Sequence, residues 1–115
     1  MTIKRIDVGP RMSQCVVHNG VAYLAGVVAK DTSAGVKGQT QQILAEIDRL
    51  LKAAGTDKTK ILKANIWLSD IANFAEMNSA WDAWVPQGHT PARATVESKL
   101  ATPAYQVEIM VEAAI

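Results

Sequence analysis

Pro91-Ala92-Arg93-Ala94-Thr95-Val96-Glu97 and Val107-Glu108-Ile109-Met110-Val111-Glu112-Ala113 both alternate with period two, the mark of strands with one buried face. In the first, Arg93, Thr95 and Glu97 share a side. In the second, Val107, Ile109, Val111 and Ala113 line one side and Glu108, Met110 and Glu112 the other. If the two strands pair, a guanidinium and a carboxylate project from one side of one sheet. A fixed guanidinium is a two-pronged donor for a substrate carboxylate, and a nearby glutamate can orient or activate a water. Together they make a minimal hydrolytic kit for an organic acid. An arginine and a glutamate on neighbouring strands are, however, more often an ion pair of modest stabilising effect. Spacing alone favours that simpler reading.

Upstream, Asn19-Gly20 is a strong hairpin signal, because both turn residues tolerate positive φ. It joins predicted strands Gln14–His18 and Val21–Gly26, and a short edge strand over Met1–Ile6 leads to a Gly9-Pro10 turn. Residues 27–36 read as a loop. Ile43, Leu44, Ile47, Leu50, Leu51 and Ala54 recur at helical spacing over residues 37–54, and Gly55 is placed to end that helix. The next strand is Ile61–Leu68, with Leu62, Ala64, Ile66 and Leu68 on one face and Lys63, Asn65 and Trp67 on the other. A second helix starts near residues 70–73, with Asn73 and Glu76 spaced as a capping box. Ile71, Phe74, Met77, Trp81 and Trp84 form its apolar stripe, and Pro86 and Gly88 mark its end.

These elements predict an α+β fold: one mixed sheet with two helices on one face. The other face would hold Trp67, Met110, Arg93 and Glu108, a mixed apolar surface of the kind that marks an interface. The pattern therefore predicts a homo-oligomer with any site at or near a subunit boundary.

A chain of 115 residues fits a single domain spanning 1–115. Its 49% hydrophobic and 20% charged residues are a globular composition. A net charge of +1, from 12 basic and 11 acidic residues, gives no nucleic-acid footprint. Lys58, Lys60 and Lys63 form the nearest basic cluster and have no interleaved aromatics. Cys15, the only cysteine, excludes an intrachain disulfide; it sits in an apolar strand and reads as a buried small hydrophobe. His18, beside the hairpin turn, and His89, in a loop, have no partners at metal-ligand spacing. The first residues lack an apolar signal core and no apolar run reaches membrane-spanning length, so the expected location is cytoplasmic.

Several ordered landmarks carry a family resemblance. They are Ser13-Gln14, Ala25-Gly26, Gln39-Thr40, Leu51-Lys52-Ala53-Ala54-Gly55, Asn73-Phe74 with Met77-Asn78, Pro91–Glu97, and Val107-Glu108-Ile109. Over nearly its whole length the chain resembles the RidA (YjgF) family. Trp81-Asp82-Ala83-Trp84 and Gly88-His89 are most similar to its short YoaB-like branch.

The resemblance implies a chorismate-mutase-like α+β fold, assembled as a homotrimer with sites in the clefts between subunits. It implies hydrolysis of reactive 2-imino and 2-enamino acids to 2-oxo acids and ammonia. Such species leak from pyridoxal-phosphate enzymes, so the role is metabolite damage control. No cofactor and no metal are implied. Carried over by position, Arg93 binds the substrate carboxylate and Glu108 positions water. Thr95 contributes main-chain contacts, Gly26 closes the second hairpin strand, and Asn78 lies near the pocket. Met12 departs from the family pattern, standing where the best-studied branch has a tyrosine, which removes a hydroxyl. That departure keeps a second reading open, a non-catalytic module binding small carboxylates such as 2-oxo acids. A third reading is an RNA-directed or chaperone role, against which the near-neutral charge argues.

Overall fold

In the computed structural model, which describes residues 2–115, Asn19 and Gly20 take φ of 51° and 76°. They close the predicted tight hairpin, between β2 (Ser13–His18) and β3 (Val21–Leu24). The edge strand β1 runs Lys4–Val8; Met1, at the start of the predicted strand, lies outside the described residues. The remaining elements are α1 (Val36–Ala54), β4 (Ile61–Leu68), α2 (Phe74–Trp84), β5 (Ala92–Glu97) and β6 (Val107–Ala114). They build one six-stranded sheet in the order β1-β2-β3-β6-β4-β5. Only β4 and β5 are parallel, joined across α2, so the sheet is mixed as predicted.

α1 and α2 pack on each other and against one face of the sheet. The strict alternation of β6 places Val107, Ile109, Val111 and Ala113 in the core beneath them. From α1 come Ile43, Leu44, Ile47, Leu50, Leu51 and Ala54, the stripe its spacing predicts. Gly55 ends α1 with φ 88°, and the amides of Gly55 and Thr56 donate to the carbonyls of Lys52 and Leu51, a left-handed cap that glycine adopts without a Cβ penalty.

Three expectations are corrected. First, β5 and β6 do not pair, because β4 lies between them. β6 is buried along one whole face and must be central, while the mostly exposed β5 is an edge strand. Second, Leu62 points to solvent: a register irregularity between Ile61 and Lys63 shifts the alternation there, and Ile61 takes the core position instead. Third, Asn73 does not cap α2 through its side chain. Asp70 accepts from the amide of Ala72, starting a 3-10 turn (Ile71–Asn73) ahead of α2. Glu76 reaches instead toward the N-terminus of α1, where its carboxylate is 3.4 Å from the amide of Lys37. No acidic residue occupies the first turn of α1, so Glu76 supplies the negative charge that end favours.

Gln39 is fully buried. Its amide nitrogen donates to the carbonyls of Ala34 and Ala104, each at 3.1 Å, and its side-chain oxygen accepts from the amide of Gln106 at 3.0 Å. One side chain thus ties the loop before α1 to the segment that leads into β6. Gln39→Leu leaves those backbone groups unpaired in a dry site and is expected to destabilise the protein by about 3 kcal/mol. Urea unfolding measures it; a loss below about 1 kcal/mol would show that water replaces the amide.

Candidate functional site

Glu108 lies on β6 opposite Trp67 of β4, on the face of the sheet away from the helices. Beside it the chain leaves β3 through Ala25 and Gly26. A two-way bridge then pins the backbone, the amide of Val27 donating to Ile109 at 2.8 Å and that of Ile109 returning to Val27 at 3.1 Å. This brings residue 26 so close that a Cβ built on Gly26 would stand 2.1 Å from Glu108 Oε2. Any larger residue here would push the Glu108 carboxylate aside. Among the described residues, the Glu108 carboxylate accepts no hydrogen bond. Burial pushes its pKa above the ordinary glutamate value, since desolvation penalises the charged form. It lines an open groove of about 1290 Å³ together with Met12, Gln14, Gly26 and Tyr105.

Arg93 lies elsewhere. It is in register with Ala64 of β4, which also faces Val111 of β6, so its side chain leaves the sheet on the helix side. There its Nη1 donates to Asn78 Oδ1 of α2 at 2.8 Å. Its guanidinium carbon lies 5.7 Å from the centre of the Phe74 ring and 5.2 Å from that of Trp81. Thr95 shares this side and carries a buried hydroxyl with no hydrogen-bond partner among the described residues. Glu97, further along, accepts from the amide of Ile71 and is occupied in holding the turn before α2.

The sequence reading put Arg93 and Glu108 on one side of the sheet, and that is overturned. Within one chain the two side chains point to opposite faces, from strands separated by β4. They form neither a salt bridge nor a shared pocket. Met12, Gly26 and Glu108 line the groove; Arg93, Asn78 and Thr95 do not. Tyr105 in the groove was missed, because it lies in the irregular segment before β6 where no periodicity operates. Gln39 was missed as an anchor, because a glutamine opening a helix reads as a solvated residue. Among the described residues, no group of three or more His, Cys, Asp or Glu side chains is arranged to hold a metal ion. Among these residues no helix is long and apolar enough to cross a membrane.

The family described as Endoribonuclease L-PSP matches residues 2–115. The RutC family protein YoaB of Escherichia coli is 47% identical over 115 residues and is aligned over 100% of both chains. The chain belongs to the RidA/YjgF/RutC family. A crystal structure of a YjgF-family member from Neisseria meningitidis superposes with a TM-score of 0.94 at 45% identity, covering 99% of this chain and 95% of that one. The 2-iminobutanoate/2-iminopropanoate deaminase of Rattus norvegicus is 31% identical over 103 residues, 84% of this chain and 74% of that protein. The predicted fold is therefore that of the YjgF structures, with the two helices on one face of the sheet.

Proposed function

We propose that the protein hydrolyses 2-imino acids, and the enamines that tautomerise to them, to 2-oxo acids and ammonia. The observation that carries the proposal is the Glu108 carboxylate, lodged against Gly26 at the wall of an open groove with its pKa raised by burial. A carboxylate in that state is a stronger base than one in water and suits holding and deprotonating a water. Similarity to the rat deaminase points to the same reaction. In it, water adds to the imine carbon and gives a proton toward Glu108. The nitrogen is protonated, and ammonia leaves from the tetrahedral carbinolamine. Arg93 would hold the substrate carboxylate, with Asn78 steadying it through the contact at Nη1 and backbone near Thr95 and Gly26 fixing the imine nitrogen. Free imines already hydrolyse in water, so a modest acceleration suffices and a site without a strong nucleophile is adequate.

Because Arg93 and Glu108 lie on opposite faces of one chain, this reading needs two chains. Arg93 of one subunit would meet Glu108 of a neighbour in a homotrimer. The face away from the helices supports such assembly. It exposes Tyr23 and Val96 at 46% and 49% and carries half-buried Trp67 and Met110. Subunit mixing tests it. Arg93→Ala and Glu108→Gln chains are each expected to be nearly inactive alone. After exchange into mixed oligomers they should regain turnover, since some boundaries then combine an intact Arg93 with an intact Glu108. No recovery, once exchange is verified by native mass spectrometry, would exclude the two-chain site.

Glu108→Gln carries its own pH prediction. The raised folded-state pKa means the native protein binds more protons than the unfolded chain between the ordinary glutamate value and the raised one. Stability therefore falls as pH rises through that window. Glu108→Gln removes that loss, so the variant is expected to be more stable than wild type at neutral pH while turning over at least ~100-fold more slowly. Thermal melts at pH 4 and pH 7, alongside rates, measure both. A variant with wild-type rate would leave Glu108 a structural residue.

Met12 in the groove favours one alternative, a module that binds 2-oxo acids without turning over imines. Tight 2-oxo acid binding with no acceleration of imine hydrolysis would establish it. An RNA-directed role has no support in the charge of +1.

A further inference from the structure

Phe74, Asn78 and Trp81 stand four and three residues apart on α2 and so line one stripe of that helix. Arg93 lies across this stripe. Its guanidinium carbon is 5.7 Å from the Phe74 ring centre and 5.2 Å from that of Trp81, and Asn78 takes Nη1 between them. The helix thereby restrains an otherwise exposed, flexible side chain by three contacts, two from π faces and one from an amide oxygen. Nε and Nη2, the other in-plane donors, have no protein partner among the described residues. They form the edge that a carboxylate grips with two parallel hydrogen bonds. Phe74 remains 37% exposed, so part of its ring is free of the core and meets the Arg93 guanidinium, whereas Met77 on the same helix is fully buried.

We propose that Phe74 and Trp81 are positioning residues that hold the Arg93 guanidinium with its Nε–Nη2 edge presented to a 2-oxo or 2-imino carboxylate. The inference rests on the reading of Arg93 as the carboxylate-binding group. A ring on a cation at a partly exposed site strengthens the arrangement modestly, so the effect should fall on affinity for the carboxylate and not on the chemical step. Pre-ordering also lowers the entropic cost of fixing a long side chain when ligand binds.

The experiment is titration of the protein with 2-oxobutanoate and with its uncharged amide, 2-oxobutanamide, followed by calorimetry or NMR. Phe74 is partly exposed, so Phe74→Leu spares the core. Trp81 is 5% exposed and is changed to Phe, the substitution that keeps an aromatic ring there with the least loss of volume. Phe74→Leu is expected to weaken 2-oxobutanoate about fivefold, leave the amide unchanged, and raise KM for the imine with kcat within about twofold. Phe74→Tyr, which keeps the ring, is expected to retain wild-type affinity. Trp81→Phe should lose about two- to threefold for the carboxylate alone. Equal losses for the acid and the amide, or a kcat effect without a KM effect, would overturn the positioning role. Wild-type binding by Phe74→Leu would do the same. An Arg93→Ala control separates the two layers. If it binds the acid as tightly as wild type, the role of Arg93 itself is wrong. If Arg93→Ala loses the acid while Phe74→Leu and Trp81→Phe keep it, only the aromatic clamp is wrong.

Discussion

Arg93→Ala is expected to lower kcat/KM for 2-aminoacrylate-derived imine by about 10³-fold while the fold persists. A two-point, charge-assisted contact to a carboxylate is worth several kcal/mol once its partner is desolvated, and each 1.4 kcal/mol is tenfold. The fold should tolerate the change, because Arg93 is exposed on the edge strand β5 and its side chain leans on one stripe of α2. Arg93→Lys is expected to recover little of the loss. An ammonium is a point donor, cannot span two carboxylate oxygens in a plane, and stacks less well between Phe74 and Trp81. A dehydratase-coupled assay that follows decay of the imine measures both variants against the uncatalysed rate. If Arg93→Ala clears the imine at the wild-type rate, the carboxylate is bound elsewhere and the proposed site falls.

Gly26→Ala is expected to cost about 10²-fold in turnover with a small change in stability. The new Cβ would stand 2.1 Å from Glu108 Oε2 and 3.0 Å from its Cδ, so the carboxylate must swing away from the groove wall. The far end of a glutamate can move, which keeps the folding cost to about 1 kcal/mol. The residue proposed to hold water is nonetheless displaced, and a general base is commonly worth 10²- to 10⁴-fold. No backbone strain enters, because Gly26 is not among the residues with positive φ. In the Glu108→Gln background the same substitution should add little, since the two changes remove one function. Full activity in Gly26→Ala would mean that the position of Glu108 does not matter to the reaction.

Most of the layer arrangement was legible in the chain. β6 is legible because its buried and open faces alternate without interruption, and α1 because its stripe repeats over the whole helix. The Asn19-Gly20 turn is legible because few dipeptides accept positive φ at both positions. Leu62 was misread because a bulge resets the period within one residue and leaves no mark in composition. Asn73 was misread because Asp70, three residues earlier, starts a 3-10 turn and takes over the beginning of the helical segment. Spacing singled out Arg93 and Glu108 but favoured an ion pair between them and gave them a wrong common face; only the family resemblance pointed to separate roles in binding and hydrolysis.

Local sequence determined which residues are strands and helices, which side of each strand is apolar except at the start of β4, and where Gly26, Arg93 and Glu108 occur along the chain. Strand order was decided only in three dimensions. Alternation fixes which way a side chain points relative to its own strand, whereas the crossover through α2 decides that β4 separates β5 from β6. A period-two pattern is unchanged when a strand is turned over, so which face of the shared sheet each alternating set occupies is settled by long-range pairing. That pairing sends Arg93 to the helices and Glu108 to the opposite face.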